Sequence, residues 1–294
     1  MPNKKKILIT GGTGYLGSRL VQSLSCDGHE IIVLKRLKTT IDKSKDRFKN
    51  VIFFNIEDGL DLPFKKNDGI DMVIHTATAY DNDINSHDEI YFVNWFFPAN
   101  LINIAILHGV KYFINTDTSL PKEINYYSLT KANFRQYGSE ILSKNNINFI
   151  NVRLEYIYGE SMTSSNLPYY LINSCLKNIC KINLSKGEQK RDFIHIDDVI
   201  SGYKLIINNI DSNKQKYFEI GSGQTVTIRE LAACIKLACK STSCLNFGYF
   251  PYRNNEIMES IANVSAIRNL GWTPKYSLEE GIKNVIIHEK KELN

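Results

Sequence analysis

The feature that most constrains this chain lies at its start, in "KKILITGGTGYLGSRLV", Lys5 to Val21. Ile7-Leu8-Ile9 reads as a short buried strand, and Leu16, Leu20 and Leu24 recur on one face of a helix in "YLGSRLVQSLSCDG". Between them stand Gly11, Gly14 and Gly17, in the spacing Gly-x-x-Gly-x-x-Gly. Glycine permits a tight turn and lets backbone come close to a phosphate. The amides of the following helix N-terminus supply donors and partial positive charge. Gly11, Thr13, Gly14, Tyr15, Leu16 and Gly17 are therefore expected to cradle a pyrophosphate.

The alternation continues. "HEIIVLK", "NVIFFNI", "DMVIHTA", "KYFINT" and "INFINVRLEYIYG" read as strands; "NWFFPANLINIAILHG" and "ANFRQYGSEILSKNN" read as helices. Strands apolar on both faces, alternating with helices, predict an α/β fold: a Rossmann-type, doubly wound parallel sheet covered on both sides. From about Gly159 the pattern loosens into "SNLPYYLINSCLKNICK", "DFIHIDDVISGYKLIINNI", "YFEIGSG" and "TIRELAACIKLACK", the last a helix with a Thr N-cap signal. The expected organisation is a dinucleotide-binding domain over residues 1–158, completed by part of 193–217, and a smaller C-terminal α/β substrate-binding lobe over 159–294. There is no internal repeat and no linker.

Composition excludes several classes. The 294 residues are 43% hydrophobic and 23% charged, ordinary for a globular protein, with a net charge of +5. The basic residues are dispersed apart from Lys4-Lys5-Lys6, which reads as a solvated leader, and no basic-aromatic stripe suits nucleic acid. No secretory segment opens the chain, and no apolar run approaches the ~20 residues of a membrane span. The expectation is a cytoplasmic protein without a membrane partner. Cys26, Cys175, Cys180, Cys234, Cys239 and Cys244 form no Cys-x-x-Cys pair, so reduced thiols or small buried hydrophobes are expected, not metal ligands.

The end of the second strand selects the dinucleotide. "IIVLKRLKT" carries Lys35 and Arg36 and no acid until Asp42. A carboxylate would bind ribose hydroxyls and repel a 2′-phosphate, whereas a basic pair attracts it, so NADP(H) is favoured over NAD(H). The chemistry centres on "FINTDTSLPKEINYYSLTK", Phe113 to Lys131. Tyr126 has Thr130 four residues on; Tyr127 has Lys131, one helical turn away on the same face. The lysine charge is expected to stabilise a phenolate and bring Tyr127 down towards neutrality. Thr116 ends the preceding strand, where a parallel sheet faces its ligand crevice.

These segments, with "VIHTATA", "NVRLEYIYG", "KRDFIHIDDV", "FEIGSGQTVTIREL", "YRNNE" and "NLGWTPKYSLEEGI", resemble the extended short-chain dehydrogenase/reductases of the nucleotide-sugar epimerase/dehydratase group over nearly the whole chain. The resemblance implies that Thr116, Tyr127 and Lys131 act on a sugar carbon beside the nicotinamide, with Lys131 also holding the nicotinamide ribose. It places Asn55 and Ile56 near the adenine, Thr76 and Ala77 along the cofactor, and Thr78 and Thr118 towards the substrate. It assigns Arg191 and Arg253 to the substrate pyrophosphate, Glu256 to its ribose, and His195, Asp197 and Asp198 to structural roles. It also implies a homodimer packed through helices of the first lobe.

Dehydratases of the group follow the catalytic Thr with Asp and Glu. Here Thr116-Asp117-Thr118 keeps the Asp and lacks the Glu, so elimination of water is set aside and Asp117 is left as a loop cap. The family's sugar-contacting "FN" step is replaced by Glu155-Tyr156, and the link "DTSLPKEINY" is shorter than in typical relatives. "VLKR", "INTDTS" and "GEQKRDFIHIDDV" are most similar to bacterial CDP-abequose and CDP-paratose synthases and related dTDP-sugar 4-reductases. The implied reaction is NADPH-dependent reduction of the C4 ketone of a 4-keto-6-deoxy sugar nucleotide, in deoxysugar synthesis for surface polysaccharide. The alternatives are a 4-epimerase with bound NAD and a dinucleotide-binding sensor of the same fold.

Overall fold

The computed structural model describes residues 4–41, 46–81, 85–142, 144–162 and 166–293; Asp42 lies outside them. The chain opens with β1 (Lys6–Thr10), α1 (Tyr15–Cys26), β2 (Glu30–Lys35), β3 (Ile52–Asn55), α2 (Leu62–Lys66) and β4 (Met72–His75). It continues through α3 (His87–Tyr91), α4 (Phe97–Leu107), β5 (Tyr112–Thr118), α5 (Tyr126–Leu142) and β6 (Asn148–Leu154). Then come β7 (Tyr156–Tyr158), α6 (Leu167–Leu176), β8 (Lys181–Asn183), β9 (Lys190–Arg191), β10 (Phe193–His195) and α7 (Ile196–Asn208). The last elements are β11 (Tyr217–Ile220), β12 (Val226–Thr227), α8 (Ile228–Cys239), β13 (Cys244–Asn246), β14 (Glu259–Ser260), α9 (Ser265–Arg268) and α10 (Leu278–Leu293). Two compact units result: Met1–Arg153 with Ile207–Phe218, and Leu154–Ile206 with Glu219–Asn294.

In the first unit the sheet order is β11-β6-β5-β4-β1-β2-β3. β1 pairs in parallel with both β2 and β4, and β3 and β5 extend the parallel register outward. Ile7, Leu8, Ile9, Met72, Val73 and Ile74 are all fully buried, which is why these strands carry no polar alternation. Successive strands run one way from β1 and then the other way from β4. The C-terminal ends of β1 and β4 therefore diverge into a crevice, the usual ligand position of a Rossmann-type sheet.

One helix departs from expectation. The run over "NWFFPANLINIAILHG" starts earlier, at His87, where the Ser86 side chain accepts a hydrogen bond from Glu89 N at 3.1 Å. A π turn over Phe92–Phe96 joins α3 to α4. The combined His87–Leu107 run is long and apolar enough to cross a membrane, contrary to the expectation that no such run exists. Here Phe97, Leu101, Ile102 and Ala105 pack into the core of the first unit, so the apolarity is that of a core helix.

The site helix is fixed by aromatic packing. Phe134 of α5, fully buried, meets Phe113 of β5 and Phe149 of β6 edge-on, at centroid distances of 6.0 and 5.9 Å. Burying such a ring contributes about 2–3 kcal/mol. Gly138, one turn along, has no side chain because any Cβ would strike the Phe149 ring. Together these contacts set α5 in one register against the end of β5.

Of the N-terminal lysines, Lys4 is exposed as expected, whereas Lys5 and Lys6 are tied into the fold. Lys6 begins β1, and Lys5, with a side chain only 11% exposed, pairs with Asp211 at 2.8 Å. In the second unit, α6, α8 and α10 bury Leu171, Ile172, Leu231, Ile235, Ile282 and Val285 together. The predicted Thr cap is a full capping box, with Thr227 and Glu230 each bonding the other's backbone N–H. All six cysteines are free thiols; Cys175 and Cys239 are buried, whereas Cys26, Cys180 and Cys244 are exposed.

Candidate active site

The glycine loop has the shape of a phosphate cradle. Gly11 adopts φ +67°, and its carbonyl accepts from Gly14 N at 2.9 Å. A Cβ on Gly11 would lie 2.6 Å from Ala77 N, and one on Gly17 would collide with the Gly11 carbonyl. Gly14 caps α1 with no side-chain hydrogen bond, and no acid occupies the first turn. The first-turn amides are thus presented to an anionic ligand, as a dinucleotide pyrophosphate requires. Thr76 ties the β4 end to β1, its hydroxyl donating to Thr10 O at 2.7 Å. Ala77 N donates to Thr10 Oγ1 at 3.4 Å.

At the end of β2, Lys35 Nζ donates to Asn55 Oδ1 at 2.8 Å. Tertiary structure brings acids that the local sequence lacks. Asn55 donates to Asp58 at 2.9 Å, Glu57 accepts from Leu37 N at 2.9 Å, and Arg36 faces Glu89 at 3.8 Å. Ile56 opens the short turn that carries Glu57 and Asp58.

Tyr127 lies on α5 with 8% exposure and Lys131 with 2%. Tyr126 instead packs its ring on His87 at 4.6 Å, so the lysine spacing picked the buried tyrosine. The Tyr127 hydroxyl is in hydrogen-bond reach of Thr118 and Thr78. Lys131 Nζ donates to the Thr116 backbone carbonyl at 2.5 Å. Thr118 and Thr78 thus act on the phenol, and the Thr116 carbonyl accepts from the lysine. Tyr80, 58% exposed, lays its ring against Tyr127 at 5.1 Å.

The expected lowering of the Tyr127 pKa is not what the protein does. Burial pushes the phenol far above its ordinary value, the neighbouring Tyr80 and Asp117 add to the rise, and the Thr118 and Thr78 hydrogen bonds only partly oppose it. The same burial acts oppositely on the amine. Lys131 is brought down to about 8, with Asp117 raising it and Arg135 lowering it further.

Asp117 is a loop cap, as expected, and more. Its side chain has 0% exposure and pairs with Arg135 at 2.5 Å. It accepts from Thr118 N at 2.9 Å and from Asn151 Nδ2 at 3.0 Å. A second polar clamp centres on Asn94, buried in the π turn: its Oδ1 accepts from Ala79 N at 2.9 Å and Thr78 Oγ1 at 3.1 Å, and its Nδ2 donates to Ala79 O at 2.8 Å. The extra residue of a π turn re-aims one side chain, here into the site loop. Sequence reasoning missed Asn94, Arg135, Asn151 and Tyr80. The only local signal was a polar Asn inside an apolar helical run.

In the second unit Arg191 is clamped. Its side chain, 7% exposed, pairs with Glu256 at 2.6 Å and stands 5.4 Å from the Tyr156 ring centroid. The expected phosphate-binding arginine and ribose-binding acid are thus partners of each other. Arg253 is exposed, and its carbonyl accepts from Glu256 N at 3.0 Å. Glu155, buried, accepts from Ser260 Oγ at 2.9 Å. His195 is buried against Tyr158 and Tyr276, and Asp198 accepts from the backbone of Lys275 and Tyr276 at 2.8 and 3.1 Å, a structural role.

Known proteins resemble this chain over nearly its whole length. CDP-abequose synthase of Salmonella muenchen is 33% identical over 96% of this chain and 97% of its own. A putative UDP-glucose 4-epimerase of Methanocaldococcus jannaschii is 25% identical over 95% and 97%. Among solved structures, UDP-glucose 4-epimerase of Thermotoga maritima with UDP-glucose superposes with a TM-score of 0.87 at 22% identity, covering 98% of this chain and 100% of that one. The Thermus thermophilus UDP-glucose 4-epimerase complex with NAD gives 0.82 at 21%, covering 97% and 99%. Residues 7–221 match the NAD dependent epimerase/dehydratase family across the glycine cradle, the tyrosine-lysine helix and β11, and the chain belongs to that family.

Proposed function

We propose that this protein reduces the C4 ketone of a nucleotide-linked 4-keto-6-deoxy sugar, with NADPH as reductant. The observation that carries the reading is the buried Tyr127 phenol, beside Thr118 and Thr78 and with Lys131 one turn along the helix. A phenol whose pKa is raised by burial keeps its proton, and ketone reduction needs a proton donor at the oxygen. The similarity to CDP-abequose synthase supports the same class of substrate and a place in deoxysugar synthesis for surface polysaccharide.

Gly11, Thr13, Gly14, Tyr15, Leu16 and Gly17 would hold the pyrophosphate of the dinucleotide, with Thr76 and Ala77 alongside it. Lys35, Arg36, Asn55 and Ile56 would hold the adenosine end, and Tyr127 and Lys131 the nicotinamide ribose. The bound cofactor supplies the hydride. Tyr127 gives a proton to the ketone oxygen, Thr118 orients the phenol and polarises that oxygen, and Thr116 and Thr78 complete the hydroxyl set. Arg191 and Arg253 would take the diphosphate of the sugar nucleotide, and Glu256 its ribose. The exposed aromatic residues Tyr91, Phe92 and Phe96 of the His87–Leu107 run fit a homodimer contact; Phe92→Glu with Phe96→Glu should then sediment as a monomer where the parent is a dimer.

A second reading, 4-epimerisation with retained NAD, is favoured by the acids Glu57, Asp58 and Glu89 around the basic pair, which suit an unphosphorylated ribose. The test is incubation with NADPH and a panel of CDP-, dTDP- and GDP-4-keto-6-deoxy sugars, followed by product NMR. Consumption of NADPH with a new C4 hydroxyl is expected. Tightly held NAD with interconversion of two sugars, and no net oxidation, would replace reduction by epimerisation.

A further inference from the structure

Tyr127, Lys131 and Arg135 are spaced by four along α5 and share one helical face. The first two belong to the proposed reacting group; the third meets Asp117, directly beneath it. The Asp117 carboxylate is entirely enclosed, and its contacts are Arg135, Asn151 Nδ2 at 3.0 Å and the Thr118 amide at 2.9 Å. Asn151 is itself held by Asn115 Nδ2 at 2.7 Å. The carboxylate is anchored from α5, β5 and β6 at once, under the strand end that supplies Thr116 and Thr118.

We propose that Arg135 is a positioning residue: it neutralises the enclosed Asp117 carboxylate, locks the Thr116–Thr118 strand end to α5, and so sets the charge that Lys131 and Tyr127 experience. The proposal rests on the reading of Tyr127 and Lys131 as the reacting pair, and on no particular substrate. A bare buried carboxylate beside that pair would stabilise the protonated lysine and oppose the phenolate. Arg135 opposes that field at Lys131. Among the described groups, those facing the pair are Asp117 from β5, Arg135 on their own helix, His75 from the end of β4, and Tyr80 from the loop after it. Burial and the Lys131 charge hold His75 neutral, so it adds no charge of its own. The Asp117 oxygens are committed to three donors, Arg135, Asn151 Nδ2 and the Thr118 amide.

The experiment follows the Lys131 titration by NMR of 13Cε-lysine in the full chain, without sugar nucleotide, with Lys131→Met identifying the resonance. The parent midpoint is expected at about 8. Arg135→Gln should move it up by about one unit or more, and Asp117→Asn should move it down. The double variant Asp117→Asn with Arg135→Gln should return close to the parent, and Arg135→Lys should preserve the parent value. Where Arg135→Gln alone does not fold, the double variant and Arg135→Lys decide. Unmoved midpoints in the single variants, shifts of the same sign, or a double variant that does not compensate would overturn the proposal. An ion pair that does not reach Lys131 electrostatically would leave the midpoint unmoved in both single variants. Because no substrate is present, the result is read separately from the ketone-reduction assay.

Discussion

Lys131 is stored in an unfavourable charge state, and removing it should stabilise the protein. Its ordinary value of 10.5 is brought down to about 8 in the fold, chiefly by burial. At about 1.4 kcal/mol per unit this is a cost of about 3 kcal/mol for keeping the ammonium charged at neutral pH. Lys131→Met fills the same volume without the charge, and loses the hydrogen bond to the Thr116 carbonyl, worth about 1 kcal/mol. A net gain of about 2 kcal/mol at pH 7 follows. The cost is fully present below pH 8, because both folded and unfolded lysine are then protonated. Between pH 8 and 10.5 the folded state releases the proton first, so the parent gains stability relative to the variant and the gap closes. Urea unfolding followed by Trp95 fluorescence in the first unit, at pH 7 and 9.5, measures both quantities. A variant less stable than the parent at pH 7, or a gap unchanged at pH 9.5, would refute the reasoning. The variant should at the same time lose turnover, since function here is maintained against stability.

The two threonines can be separated kinetically. Thr118→Val should lower kcat by about 10²-fold, and Thr116→Val much less, because Thr118 reaches the Tyr127 phenol and Thr116 offers Lys131 its backbone; equal effects in steady-state assays would contradict the geometry. Tyr127→Phe should cut turnover by about 10²–10⁴-fold with cofactor affinity near normal by fluorescence titration; unchanged turnover would remove Tyr127 from the chemistry. Replacing Lys35 and Arg36 by Ala should weaken NADPH more than NADH in the same titration, and equal losses would transfer the preference to NAD. Gly17→Ala should abolish dinucleotide binding in calorimetry, because its Cβ collides with the Gly11 carbonyl; retained binding would show that the cradle can open.

Much of this protein could be read from residue order alone, and the reason is local. Glycine spacing after an apolar strand specifies the cradle, since only glycine tolerates φ +67° and the close approach to Ala77. A four-residue step on a helix specifies which tyrosine faces the lysine, so residue order alone distinguishes Tyr127 from Tyr126. Strand-helix alternation specifies the doubly wound sheet. Each of these depends on neighbours within one or two turns of chain.

What tertiary structure decided depends on groups brought together from far apart in sequence. The direction of the Tyr127 pKa is one such property: the four-residue step predicts a lysine effect, but burial makes desolvation dominant, and Tyr80 and Asp117 add to the rise. The seating of α5 by Phe134 against β5 and β6 is another. Glu57, Asp58 and Glu89 join the basic pair only through folding. Arg135 and Asp117 are 18 residues apart and meet only because α5 packs beneath the end of β5. Backbone conformation and helical spacing are short-range and therefore written in the sequence; burial and electrostatic fields sum over the whole packed unit, and only its three-dimensional arrangement determines them.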